Sequence, residues 1–233
     1  MKKLKYILLG GLFALGMTAC DDYLDVNTDP DNPTAETATP EVRLTWIQNF
    51  FEYAWSSASM RSSQITGVLT QTSTTSANGL LAKWDPAQSS ATTPYQNWYI
   101  GAAVNIDPLI TAAEAVGANH YAGAAHTIKA MGFMMMLDLF GEIPYHQAFT
   151  GKYDPDYDNG KELFNCVMAD LDKALEYFNM DNLNVPLIEG DVWLNGDESK
   201  WIKLVYGLKA RFMLKLSKKA EFDPQGILDC LNK

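Results

Sequence analysis

The chain is poor in the residues that most metal and redox chemistry uses. Three cysteines and three histidines are spread through 233 residues. There is no Cys-x-x-Cys pair and no Cys/His cluster at zinc spacing. His120, His126 and His146 are too scattered to suggest a metal site or a catalytic triad. A Gly-x-Ser-x-Gly elbow, a phosphate loop and a dinucleotide fingerprint are also missing, and no cofactor is expected. Basic charge is scarce: 18 lysines and arginines stand against 28 acidic residues, a net charge of −10. A surface of that sign repels phosphate backbones, which argues against nucleic acid as a partner. No sustained strand alternation occurs, and no apolar run reaches the roughly 20 residues that a membrane-spanning helix needs.

What is present begins at the amino terminus. Lys2, Lys3 and Lys5 precede a short apolar run from Tyr6 to Leu15, then small residues, then Cys20. This is the pattern of a secretory signal peptide over residues 1–19, with Cys20 as the lipidated residue of a bacterial lipoprotein. Two acyl chains already anchor a protein stably, so the three expected on Cys20 hold it to a membrane surface. An ordinary secreted protein that begins with cysteine is the alternative. Loss of the three signal lysines leaves 15 basic residues against 28 acidic ones, a net charge of −13. Lipid, not a basic patch, therefore holds the mature protein at the membrane.

Residues 20–39, rich in Asp, Asn, Thr and Pro, read as an extended tether. Residues 40–233 read as a helical domain, for which 47% hydrophobic and 12% aromatic content supply a core. Pro40 opens a helix in which Leu44, Ile47, Phe51, Tyr53 and Ala54 recur near a period of 3.6. Ser56 to Thr93, dominated by Ser, Thr, Gln and Gly, reads as a long irregular loop of the kind that carries function. Further stripes follow: Tyr95 to Ile106, Tyr121 to Leu139, Leu163 to Phe178 and Trp201 to Leu216. Asp107-Pro108 is expected to restart a helix, with Asp107 as cap. The helix before Gly141 is apolar nearly all round from Ala130, so it should be central. Together these give an all-α body of tetratricopeptide-like helix hairpins.

Four segments carry a family resemblance. They are Cys20 through Pro30; Met131-Gly132-Phe133 through Asp138-Leu139-Phe140-Gly141-Glu142-Ile143-Pro144-Tyr145; Tyr153-Asp154-Pro155 leading into Leu171-Asp172-Lys173-Ala174-Leu175; and Gly190-Asp191-Val192 through Trp201 and Leu208-Lys209-Ala210-Arg211. In order and register they resemble the SusD/RagB family of surface lipoproteins of Gram-negative bacteria. The likeness lies with the N-terminal half of longer family members, so the domain is expected to be truncated at its C-terminus, as a fragment or naturally. The resemblance implies a non-enzymatic outer-membrane lipoprotein that faces the cell exterior. It would hold an oligosaccharide or polysaccharide for import by a partner TonB-dependent (SusC-like) transporter. Relatives that capture peptides make peptide binding the alternative, and a glycoside hydrolase is the third reading.

Candidate ligand contacts follow from chemistry. A sugar ring presents a face of C–H groups, and an exposed indole offers a flat, electron-rich surface to stack on. Trp84 stands among polar residues, with Asn78, Lys83, Asp85 and Gln88 near it in sequence to meet hydroxyls; its other reading is a loop anchor. Trp55, at the end of the first helical stripe, is a second candidate. Trp98, Tyr99 and Trp201 are read as core, and Gly141 to Tyr145 as a structural stop. Arg211 is expected to pair with Asp191 or Asp197. Cys166 reads as a buried free thiol, with a disulfide to Cys230 as the alternative. Asp25-x-Asn27-x-Asp29 and Asp154-x-Asp156-x-Asp158-Asn159-Gly160 resemble calcium loops, but the first has Pro30 where the loop needs glycine and the second has its glycine one place late, so a solvated turn and a helix cap are favoured.

Overall fold

The computed structural model describes residues 38–70 and 81–233. The signal segment, Cys20, residues 20–37 of the tether, the first aspartate pattern and Asn78 lie outside the described residues.

Helix α1 spans Pro40–Ile65, with proline in its first turn, where a missing N–H costs nothing. It buries Leu44, Ile47, Gln48, Phe51, Ala54 and Ala58, as the 3.6-residue period requires. Tyr53 does not belong to that stripe. It lies two positions past Phe51, about 200° round the helix, and is 56% exposed. The helix also runs ten residues into the stretch expected to be loop. Ser57 donates to the Ala54 carbonyl at 2.9 Å and Ser62 to that of Ala58 at 2.9 Å. The serines thus satisfy themselves on their own helix instead of competing with it.

After α2 (Thr92–Gln96) the chain tightens through a wide turn, Asn97–Ala102, and a narrow one, Ala103–Asn105. That irregularity turns Trp98, Tyr99 and Ala102 together into the core. Helix α3 (Ile106–Val116) restarts as expected, but Asp107 and Pro108 sit inside its first turn and Asn105 takes the cap position. Asp107 instead bonds Lys129 at 2.8 Å.

Helix α4 (Asn119–Phe140) is central, packed by α1, α3, α5 and α6. Its buried stretch lies earlier than the apolar run suggests, over Tyr121 to Met136, and Asp138 is already exposed. Gly132 permits the closest approach in the core: a Cβ there would stand 2.0 Å from the Trp98 ring. Gly141, at φ 75°, ends the helix, and Pro144 keeps it ended. Ile143 is then fully buried and bridges Asp158. Tyr145 packs edge-on against Phe133 and donates to Asp170 at 2.8 Å. Asp170 also bonds His126 at 2.9 Å. Burial and the Asp170 charge push the Tyr145 hydroxyl's pKa well up, so it stays a donor. The Gly141–Tyr145 stop is structural, as the sequence implies.

Helices α5 (Gly160–Phe178), α6 (Glu198–Leu214) and α7 (Pro224–Leu231) follow, each capped by a side chain: Asn159, Asp197 and Asp223. Each packs on its predecessor, α5 on α4, α6 on α5 and α7 on α6. The described body is the stack of helix hairpins that the periodicity implies, and no strand occurs among the described residues. Cys166 and Cys230 are free thiols, and Cys166 is half-buried, not buried.

Candidate functional site

Two tryptophan-bearing surfaces stand out, and α1 organises both. Trp46, 51% exposed, and Trp55, 38% exposed, stand nine residues and about 180° apart on α1. Trp55 stacks on buried Phe51 one turn earlier, ring centres 5.9 Å apart. Trp193, from the loop before α6, meets Phe51 edge-on at 5.3 Å. Trp55, Trp193, Glu52 and Ser56 thereby line a shallow cavity of about 290 Å³. A second, of about 340 Å³, lies on the other side of Trp55, with Ser59, Ser62, Ser63 and Asp138. A third, of about 660 Å³, shares Glu52 and Trp193 and adds Trp46 and Asn49. The shared residues Glu52, Trp193 and Trp55 join the three into one indole-bearing strip, mainly apolar and edged by hydroxyl, amide and carboxylate groups.

Trp193 owes its place to Asp191. That carboxylate is 4% exposed and accepts from the backbone of Trp193 (2.9 Å), Leu194 (3.2 Å) and Gly196 (2.9 Å). Gln48 of α1 and the Trp201 indole each add a bond of 2.7 Å. Burial opposes its ionisation, but the bonds from Gln48, Trp201, Gly196 and Trp193 outweigh burial and hold its pKa below the ordinary carboxylate value. The loop can lie so close to α1 because residue 190 is glycine: a Cβ there would stand 2.6 Å from the Glu41 backbone. The expected ion pair with Arg211 is not formed. Asp191 is satisfied by neutral donors, and Asp197 caps α6 by accepting from the Lys200 N–H.

Trp84 is the second surface. It is 76% exposed, between exposed Lys83 and Asp85, with its backbone in the left-handed region at φ 61°. The anchor of this segment is Leu81, 4% exposed, whose carbonyl accepts from the Trp84 N–H at 3.0 Å. The anchor reading of Trp84 is thereby corrected. Arg61 of α1 ties the following residues down, donating to the Ser90 carbonyl and to Thr93 Oγ1 at 3.1 Å. Arg61 lies six residues beyond Trp55, about 9 Å along the helix. Trp55 and Trp84 are thus borne by elements pinned together, although Trp84 lines none of the three cavities. Trp46 and Trp193 do not follow from the sequence. Trp46 announces itself only as a tryptophan off the buried stripe, and Trp193 depends on contacts made from the other end of the chain.

A family model described as "Starch-binding associating with outer membrane", SusD-like, matches residues 31–227. A SusD/RagB family protein from Bacteroides thetaiotaomicron VPI-5482 aligns with 84% of this chain and 42% of its own, at 22% identity and a TM-score of 0.71. A chitin-binding protein aligns with 83% of this chain and 42% of its own, at 23% identity and a TM-score of 0.67. The chain therefore spans less than half the length of these two structures, and the likeness speaks for the fold. No curated protein matches the sequence. Among the described residues no helix is long and apolar enough to cross a membrane. With one family's model matched over most of its length and that fold shared by both solved structures, the chain belongs to the SusD-like family.

Proposed function

We propose that this chain binds glycan at the outer surface of the cell, without breaking bonds, through the indole strip of α1 and the Trp84 plate. The observation that carries this reading is Trp55, a partly exposed indole with a shallow cavity on each side, mainly apolar and edged by serine and carboxylate groups. Pyranose rings stack on such plates while serine, amide and carboxylate groups meet their hydroxyls. Starch in the family description and chitin in a structural relative's name are both polymers of such rings. Lipid on Cys20 would hold the protein at the outer membrane. A TonB-dependent transporter would receive the captured chain.

Titration calorimetry with starch and chitin oligosaccharides tests the ligand. Trp55→Ala should weaken binding by about 30-fold, the effect of losing a roughly 2 kcal/mol tryptophan hot spot. Binding of peptides and not of either glycan would favour the peptide reading. Release of reducing sugar, lost when one acidic residue is substituted, would favour a hydrolase. Co-purification of a TonB-dependent transporter with the lipidated protein tests the partner, and its failure would count against this part of the reading.

A further inference from the structure

Away from these plates, the loop after α4 meets the first turn of α5 at three metal-ligating side chains. One donor atom each of His146, Asp158 and Glu162 lies within 4.8 Å of the others. The two Asp158 oxygens have separate tasks. Oδ2 accepts the backbone N–H groups of Tyr145 (2.7 Å) and His146 (3.1 Å), which fixes the carboxylate. Oδ1 faces His146 Nδ1 at 2.6 Å. Glu162 enters from α5, where Asn159 caps the helix by accepting the Glu162 N–H at 2.9 Å. Its carboxylate makes no hydrogen bond and no ion pair among the described residues. No lysine or arginine pairs with Asp158 either, whose ionic partner is His146. Two carboxylates thus stand together beside one imidazole, and a divalent ion would relieve their repulsion. The second calcium-like aspartate pattern does not act as a unit here, because Asp156 bonds Gln147 and Lys152 instead.

We propose that His146 Nδ1, Asp158 Oδ1 and a Glu162 carboxylate oxygen bind a divalent ion of the zinc class, which replaces the hydrogen between the first two. A neutral ring then carries its one hydrogen on Nε2, and a protonated ring releases one proton to water. Nε2 is turned toward Cys166 Sγ, 3.7 Å away, which can accept that hydrogen. Metal–nitrogen and metal–oxygen bonds of about 2.0–2.2 Å place donors about 2.8–3.6 Å apart at octahedral to tetrahedral angles. The His146–Asp158 contact of 2.6 Å need therefore open by only about 1 Å or less. The His146 side chain is 48% exposed and Glu162 is exposed, so both can adjust around the fixed Asp158 and water can complete the shell. An imidazole donor favours zinc over calcium and magnesium, which take oxygen. Cys166 is a neighbour and not a ligand: burial and the charges of Asp170, Glu162 and Asp158 push its thiol pKa up, so it stays protonated. Sequence spacing hides the set, since twelve residues separate His146 from Asp158, outside the common zinc patterns. A bound ion would staple the loop to α5, remote in role from the tryptophan surfaces.

The test is titration calorimetry of the reduced, metal-free full-length protein with zinc, and with calcium as the contrast. Zinc should bind more tightly than calcium and raise the thermal unfolding midpoint. Loss of even an outer partner of a metal ligand costs about 10- to 100-fold in affinity, so His146→Ala and Glu162→Gln should each lose at least about tenfold. Cys166→Ser should bind zinc as the parent does. The Glu162 carboxylate makes no bond in the free protein, so Glu162→Gln should unfold at the parent's temperature without metal, which separates ligand loss from misfolding. Zinc that fails to bind, or binds no more tightly than calcium, overturns the site. So does zinc binding that survives both His146→Ala and Glu162→Gln, or that is lost in Cys166→Ser. Glu162 is then only a first-turn acid that complements the α5 dipole.

Discussion

Gln48 and Asp191, 143 residues apart, exchange the bond that fixes the α1 surface: Gln48 Nε2 donates to Asp191 Oδ1 at 2.7 Å. The Gln48 carbonyl oxygen in turn accepts the Val192 N–H at 2.9 Å. Both side chains are buried, so neither can turn to water if the other is lost. Asp191→Ala strands the Trp201 indole N–H and three backbone N–H groups. It should cost about 3 kcal/mol or more, and Gln48→Ala about 1–3 kcal/mol. Urea denaturation measures both. A loss below about 1 kcal/mol for Asp191→Ala would mean that the loop is held by other contacts.

The same carboxylate makes a pH prediction. Its folded-state pKa lies below the ordinary value, because the donors outweigh burial. Its contribution to stability is therefore fully present above the unfolded pKa of about 3.9 and is lost as pH falls through the lower folded value. Asp191→Asn should be less stable than the parent at neutral pH, and the gap should close in acid. A gap independent of pH would assign the effect to shape instead of charge.

Two glycines separate close approach from spare freedom. Gly190→Ala would drive a methyl to within 2.6 Å of the Glu41 backbone, which has no flexible end to move. Gly207, within α6, is open: a methyl added there would meet nothing within 4 Å. Gly190→Ala should destabilise by about 1–3 kcal/mol, as overpacking does. Gly207→Ala should stabilise by about 0.4–1 kcal/mol through the unfolded chain. Thermal unfolding of the pair decides whether the loop truly rests on α1.

Much of the fold is legible in the sequence because helix stripes are local. Leu163, Val167, Leu171, Ala174 and Phe178 are all buried, as their spacing demands. The end of α1 escapes such a reading because serine and threonine counts describe composition, whereas Ser57 and Ser62 find partners inside the helix. The proposed binding surface is legible only in part. Trp55 follows from the stripe that carries it, and Trp84 from its polar neighbours. Trp193 becomes a plate only when Asp191 reaches Gln48, and no window of sequence contains both.

Trp84 offers the cleanest separation of binding from folding. The residue is 76% exposed, and its φ of 61° is one that a bulky residue adopts only at a cost. Glycine takes that conformation freely, so Trp84→Gly should keep or raise stability, by up to about 1 kcal/mol. If the indole is a ligand plate, the same substitution should weaken oligosaccharide binding about tenfold, a loss near 1.4 kcal/mol. Trp201→Ala makes the contrast: that indole is fully buried, and its removal should cost about 3–5 kcal/mol of stability. Calorimetry and thermal unfolding on the two variants read the two quantities independently. A Trp84→Gly protein that is stable and binds glycan as well as the parent would remove Trp84 from the binding surface and leave the α1 strip to act without it.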